Sequence, residues 1–197
     1  MPFLNEQIGF VNASLQSTAL ADARFSAGRF EGIAVDVSRK TDSGIETFPA
    51  VMDQNYEAQP ITVDDTYSII IYHKVNNKTY AQEKSEFGDR NIYMIETLQV
   101  KMVVYGKYAA LKLTKEELES LITSNFPDNI PASNLAPLKL DNMLVTLKGS
   151  NLNSSAVFNE EYKGIPLFLA PEDILFSVNY NVDTKYRKGC ISICDCN

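Results

Sequence analysis

Hydrophobic and polar positions alternate most regularly in the middle of the chain, between Ile92 and Tyr105. The apolar side of this alternation is formed by Leu98, Val100, Met102 and Val104. Because successive side chains of a strand point to opposite faces of a sheet, a period of two predicts a strand with one face in a core. We therefore predict a long strand here, broken at Gly106, and expect it to lie in an antiparallel sheet.

A helix is predicted shortly after this strand, over residues 114–125. Thr114 can cap its first turn, and Glu117, three residues later, can reach back to the backbone N–H of the cap, which is the pattern of a capping box. The apolar stripe of the helix consists of Leu118, Leu121 and Ile122. A strand that runs into a helix folded back over it is a structural unit, and these residues carry no recognisable chemistry.

The remaining pattern predicts a second helix and five more strands. Residues 3–23 place apolar side chains at spacings of three and four, which is typical of a helix lying on a sheet. The strands are predicted at residues 30–37, 46–52, 66–75, 138–152 and 174–182. A turn is expected at Asn76 and Asn77, with a charged loop at 79–90. The prediction is an α+β fold, with a mixed or mainly antiparallel sheet of about six strands flanked by an N-terminal and a middle helix.

The length of the chain, 197 residues, suits one domain with a sizeable core. We expect that domain to cover residues 1–188, followed by a cysteine-containing C-terminal tail at 189–197. Within the sheet, Pro49 cannot donate to a ladder and predicts an edge strand. The 174–182 strand shows no such protection, so we expect it to be an unguarded edge that joins a second subunit. The candidate interface residues are Phe176, Val178, Tyr180 and Val182.

The charge of the chain limits the kinds of partner that it is expected to bind. A formal net charge of −7 with scattered lysines and arginines argues against specific nucleic-acid binding, since phosphate contacts need clustered basic side chains. The densest basic group, Lys185, Arg187 and Lys188, is better explained as a solvated strand end. No stretch approaches the roughly 20 apolar residues of a membrane span, and the start of the chain lacks the features of a secretory signal. We expect no membrane association and synthesis in a cytoplasm.

Catalytic chemistry is hard to find in the sequence. The single histidine, His73, lies in a predicted strand, where a packed or half-exposed structural role is commoner than catalysis. No serine nucleophile motif and no glycine-rich phosphate loop is present. Adjacent carboxylates such as Glu160 and Glu161 fit solvation or helix capping better than a catalytic pair from separate elements. We therefore predict no catalytic residues, no cofactor and no enzymatic activity.

The three cysteines, Cys190, Cys194 and Cys196, lie within seven residues of one another near the C-terminus. Structural zinc sites normally use two separated pairs, and the second pair is missing here. An odd count in a cytoplasmic chain also argues against a disulfide framework. Plain reduced thiols are the favoured interpretation, so no metal site is predicted. An intermolecular metal or redox contact and a metal site within the chain remain the alternatives.

Five stretches follow one another in an informative order. They are the strand LQVKMVVYG, the helix TKEELESLITSNFP, the strand LKLDNMLVTLKGSN, and the closing segments VFNEEYKG and LAPEDILFSVNYNV. With the N-terminal helix, this layout resembles the tail-terminator and head–tail connector, or neck, proteins of long-tailed bacteriophages. The resemblance spans residues 3–186 and is one of layout, without a diagnostic motif.

The resemblance implies a non-enzymatic structural protein of a phage or prophage virion. Such a subunit would form a homo-oligomeric ring, commonly a hexamer, whose sheets join around a lumen, and would contact tail-tube, neck or portal proteins. It would be made in the host cytoplasm and reside in the virion. DNA would pass through the lumen, where negative charge would keep it from sticking. The predicted loops at 53–65 and 79–90 would contact neighbours. The chain is longer than compact members of the family, so 124–136 or 153–171 would be an insertion.

Two other functions are compatible with the pattern. A carbohydrate-binding or adhesin-like module is suggested by the ten tyrosines, some of which could stack on sugars. Those in predicted strands, where packing is the commoner role, are Tyr67, Tyr72, Tyr93, Tyr105 and Tyr180. An enzyme of unfamiliar type is the third alternative. The sequence offers no catalytic triad, no set of metal ligands and no cofactor-binding loop in support of it.

Overall fold

The structure is a computed structural model that describes residues 2–62, 66–84, 92–130 and 142–187. Its helices are α1 (Pro2–Ser17), α2 (Tyr108–Leu111), α3 (Lys115–Ser124) and α4 (Ser154–Glu161), with a 3₁₀ turn at Ala23–Phe25. Its strands are β1 (Gly28–Thr41), β2 (Gly44–Met52), β3 (Ala58–Pro60), β4 (Ile69–Lys84), β5 (Ile92–Lys107), β6 (Asn129–Ile130), β7 (Asn142–Asn151) and β8 (Asp173–Arg187). The predicted α+β class is confirmed, and the described residues form eight strands where about six were predicted.

All eight strands belong to one mixed sheet in the order β3-β2-β1-β4-β5-β8-β7-β6. Among these strands the pairing of β1 with β4 is parallel, and the other neighbours are antiparallel. The centre of the sheet is formed by β4, β5 and β8, which are 16, 16 and 15 residues long. At both borders the outermost strand is very short.

The two faces of the sheet are covered by different helices. Helices α1 and α3 cover the face that we call the α1 face. Its buried side chains include Ile8, Val11, Leu15, Ile71, Leu98, Met102, Leu118, Ile122, Phe176 and Val178. Helix α4 covers part of the opposite face, which we call the α4 face. Its buried side chains include Ile70, Tyr72, Val103, Tyr105, Val157, Phe158 and Leu175. The alternation of each central strand therefore feeds two cores and not one.

The predicted helix at 114–125 is confirmed as α3, together with its capping box. The Thr114 hydroxyl accepts from the Glu117 backbone N–H at 3.2 Å, and the Thr114 N–H donates to the Glu117 carboxylate at 2.8 Å. The bond from the Thr114 backbone holds the pKa of Glu117 below its usual value. Leu118 and Ile122 are fully buried, whereas Leu121 is only half-buried.

The predicted strand end at Gly106 is wrong by one residue, because β5 runs through it to Lys107. The glycine has a packing role there. A Cβ on Gly106 would lie 2.8 Å from Cδ1 of Leu111, so its absence lets α2 close onto the strand. Leu111 is fully buried as a result.

The predicted turn at Asn76 and Asn77 is also wrong, as is the loop over its first part. β4 continues to Lys84, and the register shift between Val75 and Asn77 is absorbed by one bulged residue. Asn, Lys and Gln have low strand propensity, but β5 supplies a partner for each residue from 77 to 84, and tertiary pairing overrides local preference. Residues 85–90 lie outside the described part of the chain.

The other differences lie at element ends and in short elements that were not predicted, which are α2, α4, β3 and β6. Helix α1 ends at Ser17, six residues before the predicted Ala23. Helix α4 falls in a stretch for which no helix or strand was predicted. Asn153 caps it by accepting from the Ala156 N–H at 3.1 Å. Its eight residues contain two buried apolar side chains and a buried glutamate, a combination that gives no apolar stripe.

Candidate functional site

A buried polar network surrounds His73 on the α1 face. The His73 Nε2 atom lies 2.8 Å from Asn12 Oδ1 on α1, and the Tyr180 hydroxyl lies 2.9 Å from His73 Nδ1. Burial lowers the pKa of His73 to about 3, so the ring is neutral near pH 7. A neutral ring that donates from Nε2 and accepts the Tyr180 proton at Nδ1 satisfies both nitrogens.

The network fits a structural role for His73. The ring is fully buried, and the Asn12 amide is itself fixed by donating to the Glu31 carbonyl at 2.8 Å. Burial raises the pKa of the Tyr180 hydroxyl well above its ordinary value, so it stays a donor. The expectation of a packed strand histidine is confirmed. The expectation that it has no partners is wrong, because both partners come from distant parts of the chain.

A second buried group of polar residues ties α4 to the sheet, and we call it the lysine–glutamate cluster. It contains Asp36, Tyr72, Lys74, Lys101, Glu160 and Glu161. Glu161 is fully buried and is contacted by both lysines, with its Oε2 atom 3.1 Å from Lys74 Nζ. Lys101 also reaches Glu160 at 2.7 Å, and Lys74 reaches Asp36. The Tyr72 hydroxyl donates to Glu161 at 3.2 Å.

The electrostatics of this cluster hold Lys101 in its charged form. Burial alone would lower the pKa of Lys101, but the hydrogen bonds from its ammonium to Glu160 and Glu161 outweigh burial and raise it. Burial, Tyr162 and Glu161 together raise the pKa of Tyr72 well above its usual value. A catalytic base or nucleophile would need a pKa close to neutral pH, whereas the pKa values of Lys101 and Tyr72 are shifted further from neutral pH. The cluster therefore fits the anchoring of a helix better than proton transfer.

A third buried contact joins α1 to the far end of the sheet. The Gln7 side chain is fully buried, and its Nε2 atom donates to the Thr184 hydroxyl at 2.8 Å. Glu96 lies beside it and accepts from Lys78 at 2.6 Å. The Gln7 Oε1 atom has no hydrogen-bond partner among the described residues.

A cleft of about 340 Å³ opens on the α4 face, beyond the part that α4 covers. Its lining consists of Asn76, Gln99, Val100, Lys148, Asn179, Tyr180 and Asn181. The side chains of Val100 and Tyr180 belong to the α1-face core, so these two residues contribute backbone to the floor. The walls are four carboxamides and one ammonium, contributed by β4, β5, β8 and β7.

The predicted interface residues lie in the interior. β8 pairs with β5 on one side and β7 on the other, so the expectation of an unguarded edge is wrong. Phe176, Val178, Tyr180 and Val182 are each at most 1% exposed. Their apolar character serves the core of this chain, and they offer no surface to a second subunit while that core is closed.

Other predicted site residues are placed as follows. Of the strand tyrosines, Tyr72, Tyr105 and Tyr180 are buried, which leaves them unavailable for stacking on a sugar. The cysteine tail, with Cys190, Cys194 and Cys196, lies outside the described residues, as does Lys188. Within residues 2–62, 66–84, 92–130 and 142–187, no group of three or more His, Cys, Asp or Glu side chains is arranged to hold a metal ion.

The comparisons with known proteins leave the family of the chain open. No protein-family model matches the sequence, and no curated protein is significantly similar to it. None of the helices in the described ranges combines the length and the apolar character needed to cross a bilayer.

Proposed function

We propose that this chain is a non-enzymatic structural subunit of a phage or prophage virion, which assembles with copies of itself into a ring at the tail end or the head–tail neck. The layout of its elements motivates the virion assignment. One structural observation supports assembly: the four central strands β4-β5-β8-β7 carry, on each side of this block, a segment that is paired on one side only, and the two segments are oriented to pair with each other.

The first one-sided segment belongs to β4. The parallel pairing of β1 with β4 ends at Ile33 and His73. From Asn77 to Lys84, β4 pairs with β5, and no described strand lies on its other side. Eight residues of edge backbone are a template for strand addition by another chain.

The second one-sided segment belongs to β7. Strand β6 pairs only with Met143 and Leu144, and the Val145 N–H donates to the Asp128 carbonyl at 2.9 Å. From Thr146 to Asn151, β7 pairs with β8, and no described strand lies outside it. The two one-sided segments therefore lie on opposite borders of the four-stranded block β4-β5-β8-β7.

This block can repeat head to tail. Its three junctions are antiparallel, so β4 and β7 run in opposite directions. A second copy placed with β4 beside β7 would continue the antiparallel order without turning the sheet over. A heterologous contact of this kind generates a closed ring when its rotation closes.

The two segments lie at different heights along the strand direction, so pairing them would offset neighbouring copies. Asn77 of β4 and Thr146 of β7 are both level with Gln99, through the pairs Asn77–Gln99, Gln99–Asn181 and Thr146–Asn181. From that level the two segments extend in opposite directions. Pairing them shifts the next copy by about six residues, or roughly 20 Å at about 3.3 Å per residue. A regular stagger with tilted strands is what closes a sheet around an axis.

The β4 edge lacks the usual protection against pairing. Edge strands are commonly guarded by lysines that project outward. Here the Lys78 ammonium is drawn back over the sheet to Glu96, and Glu83 is neutralised by Lys185. Burial alone would lower the pKa of Lys78, but the hydrogen bonds of its ammonium to Glu96 and Tyr80 raise it, so the ammonium stays charged. Among the described side chains of this edge, the charges of Lys78 and Glu83 are thus engaged in ion pairs, which leaves polar backbone for pairing.

The experiment compares assembly of wild-type protein with an edge variant. Thr79→Lys with Ala81→Lys adds two long cations to the β4 edge. Gln54→Lys with Asn55→Lys adds the same charge to an exposed turn after β2 and serves as the matched control. Sedimentation and negative-stain microscopy are measured alone and with the cognate tail-tube, neck and portal proteins. A hexamer would have a mass of about 132 kDa, six times 22.0 kDa.

We expect the wild-type protein and the control variant to form rings and the edge variant to remain monomeric. A wild-type monomer that also fails to bind any of those virion proteins would overturn the proposal. Rings that survive the edge variant would keep the assembly but refute the β4–β7 junction. Mass spectrometry of purified virions gives an independent check, because the chain must be present in them.

A ligand-binding module is the second candidate function, and the polar cleft is the observation that favours it. Tyr72, Tyr105 and Tyr180 are buried and cannot stack on a sugar, while the exposed tyrosines Tyr56, Tyr80 and Tyr108 lie in different parts of the chain and not in the cleft. The cleft needs a different chemistry of recognition.

A further inference from the structure

The cleft on the α4 face is built by two irregularities at the same height of the sheet. β4 is bulged between Val75 and Asn77, and β7 is bulged between Leu147 and Gly149. The extra residues are Asn76 and Lys148, and both line the cleft. Bulges re-aim side chains and are enriched beside functional sites. Here they place one carboxamide and one ammonium at opposite sides of a floor made by β5 and β8.

The side chains between these bulges form a continuous polar row. Gln99 and Asn181 are directly opposite each other across the β5–β8 junction, and Asn179 follows on the same face of β8. Each carboxamide offers two N–H donors and a carbonyl acceptor. With Asn76, four carboxamides converge on a volume large enough for a small polar molecule.

None of the five side chains is engaged within the described chain. Asn76, Gln99, Lys148, Asn179 and Asn181 make no hydrogen bond or ion pair to another described residue, and four of them are exposed, Asn181 being half-buried. The polar groups nearby differ in this respect. On the same face Lys101 forms an ion pair with Glu160, and the Thr97 hydroxyl donates to Asp183.

The charge of the cleft is unusual for this molecule. The chain carries a net charge of −7, yet the described residues of the cleft lining include one cation and no carboxylate. Neutral donors and acceptors around one ammonium suit a ligand with several hydroxyl groups and one negative charge. A purely anionic ligand would leave the carboxamide carbonyls unmatched, and a neutral one would leave Lys148 unmatched.

We propose that this cleft binds a sugar acid, with Lys148 contacting the carboxylate and the carboxamides of Gln99, Asn179 and Asn181 contacting the hydroxyl groups. Asn76 closes the side of the cleft formed by β4. The five side chains come from one chain, so the cleft is present in a monomer, although Lys148 also lies in the β7 segment that would pair in the proposed ring. It also replaces aromatic stacking by hydrogen bonding as the mode of carbohydrate recognition.

The test uses galacturonic acid and N-acetylneuraminic acid as probes, with glucose as the neutral comparison. Binding is followed by the side-chain NH₂ resonances of isotopically labelled protein at sugar concentrations up to tens of millimolar. We expect the acids to shift the resonances of Asn76, Gln99, Asn179 and Asn181. Glucose should shift the same set more weakly. A galacturonate trisaccharide distinguishes a free sugar acid from the end of a glycan, because only a glycan site gains affinity with the longer probe.

Two variants make the assignment specific. Lys148→Met should weaken binding of both acids by about tenfold and leave glucose unchanged, since it removes a charge-assisted bond. Lys40→Met, at an exposed position of β1, is the matched control and should bind as wild type. Gln99→Leu with Asn181→Leu should abolish binding of all probes while the melting temperature stays near that of wild type.

Three results would overturn the proposal. The absence of shifts with either acid would refute the site. Equal shifts by glucose and the acids would refute the acid preference. Unchanged acid binding in Lys148→Met would refute the role of the ammonium.

Discussion

The two faces of the sheet are covered in physically different ways. On the α1 face, long apolar stripes from α1 and α3 meet the strands, and the polar network of His73 there is uncharged. On the α4 face, a helix of eight residues is held by two buried apolar side chains and by ion pairs from Glu160 and Glu161. A short helix cannot bury enough apolar area to order itself, so paired charges supplement it.

The charges also explain why α4 ends where it does. Two glutamates at the C-terminal end of a helix oppose its dipole, which favours cations there. Lys74 and Lys101 on the sheet supply those cations from outside the helix. The α1 face has one comparable ion pair, between Lys78 and Glu96 on the sheet, but its helices are held mainly by apolar side chains over several turns. Substitutions on each face test whether the two faces are stabilised by these different interactions.

The largest effect is expected from Glu161→Ala. This change leaves Lys74 and Lys101 buried without their shared partner, and it should lower the free energy of unfolding by about 3–5 kcal/mol. Urea unfolding measures it. Glu46→Ala removes the more exposed ion pair with Arg39 and should cost less than about 1 kcal/mol. Equal losses in the two variants would show that the cluster does not anchor α4.

The α1 face is tested by Leu118→Ala. This side chain is fully buried, so its truncation should cost about 2–5 kcal/mol. Leu121→Ala, three residues later in the same helix, removes the same atoms from a half-buried position and should cost clearly less. High salt should affect neither variant, since no charge is involved. A larger loss at Leu121 would mean that α3 is rotated relative to the sheet.

The pH dependence of the free energy of unfolding distinguishes the neutral His73 network from the charged lysine–glutamate cluster. The pKa of His73 is lowered to about 3 in the folded chain, against 6.5 as its ordinary value. The unfolded chain therefore takes up the proton first, and stability that is complete above about pH 7 is lost as the pH falls towards 3. Between pH 7.5 and 5 the loss should be about 2 kcal/mol.

The control for this prediction is His73→Gln. It lacks the titrating group, so its stability should change by about 2 kcal/mol less over the same pH range, whatever its absolute stability. Urea unfolding at several pH values gives the slope. Parallel slopes for wild type and variant would indicate that the ring is accessible to protons in the folded state.

The smallest effect is expected from Thr114→Ala, which removes the hydroxyl of the capping box. Loss of an N-cap typically costs about 1 kcal/mol. The melting temperature and the urea midpoint should both fall slightly. Thr114→Ser keeps the hydroxyl and should retain most of the stability. If both variants behave alike, the cap contributes little and the apolar stripe alone fixes α3.

Sequence reasoning succeeded where the deciding interactions are local. The cap of α3 is set by Thr114 and Glu117, three residues apart, and the alternation in β5 is set by neighbours within the strand. It failed where the deciding partner is distant. β4 continues through two asparagines because β5 pairs with it, and α4 forms because lysines on two strands receive Glu161.

The same reason explains what was missed at the sites. The partners of His73 are Asn12 and Tyr180, at separations of 61 and 107 residues. The cleft is assembled from four strands and depends on two bulges that no local pattern signals. The edge predicted at β8 failed because apolar residues on both faces of a strand are typical of a central strand that is covered on both faces.

The contact between Gln7 and Thr184 has a consequence for biosynthesis. These residues are 177 positions apart, so α1 leaves the ribosome long before β8, the strand that completes its binding surface. At about 5–20 residues per second, the apolar stripe of α1 waits roughly ten to forty seconds for that strand. Native contacts of such sequence separation also slow the folding step itself. A nascent chain stalled before β8 should therefore be sensitive to protease in α1 and should bind chaperones, whereas the released full-length chain should resist both.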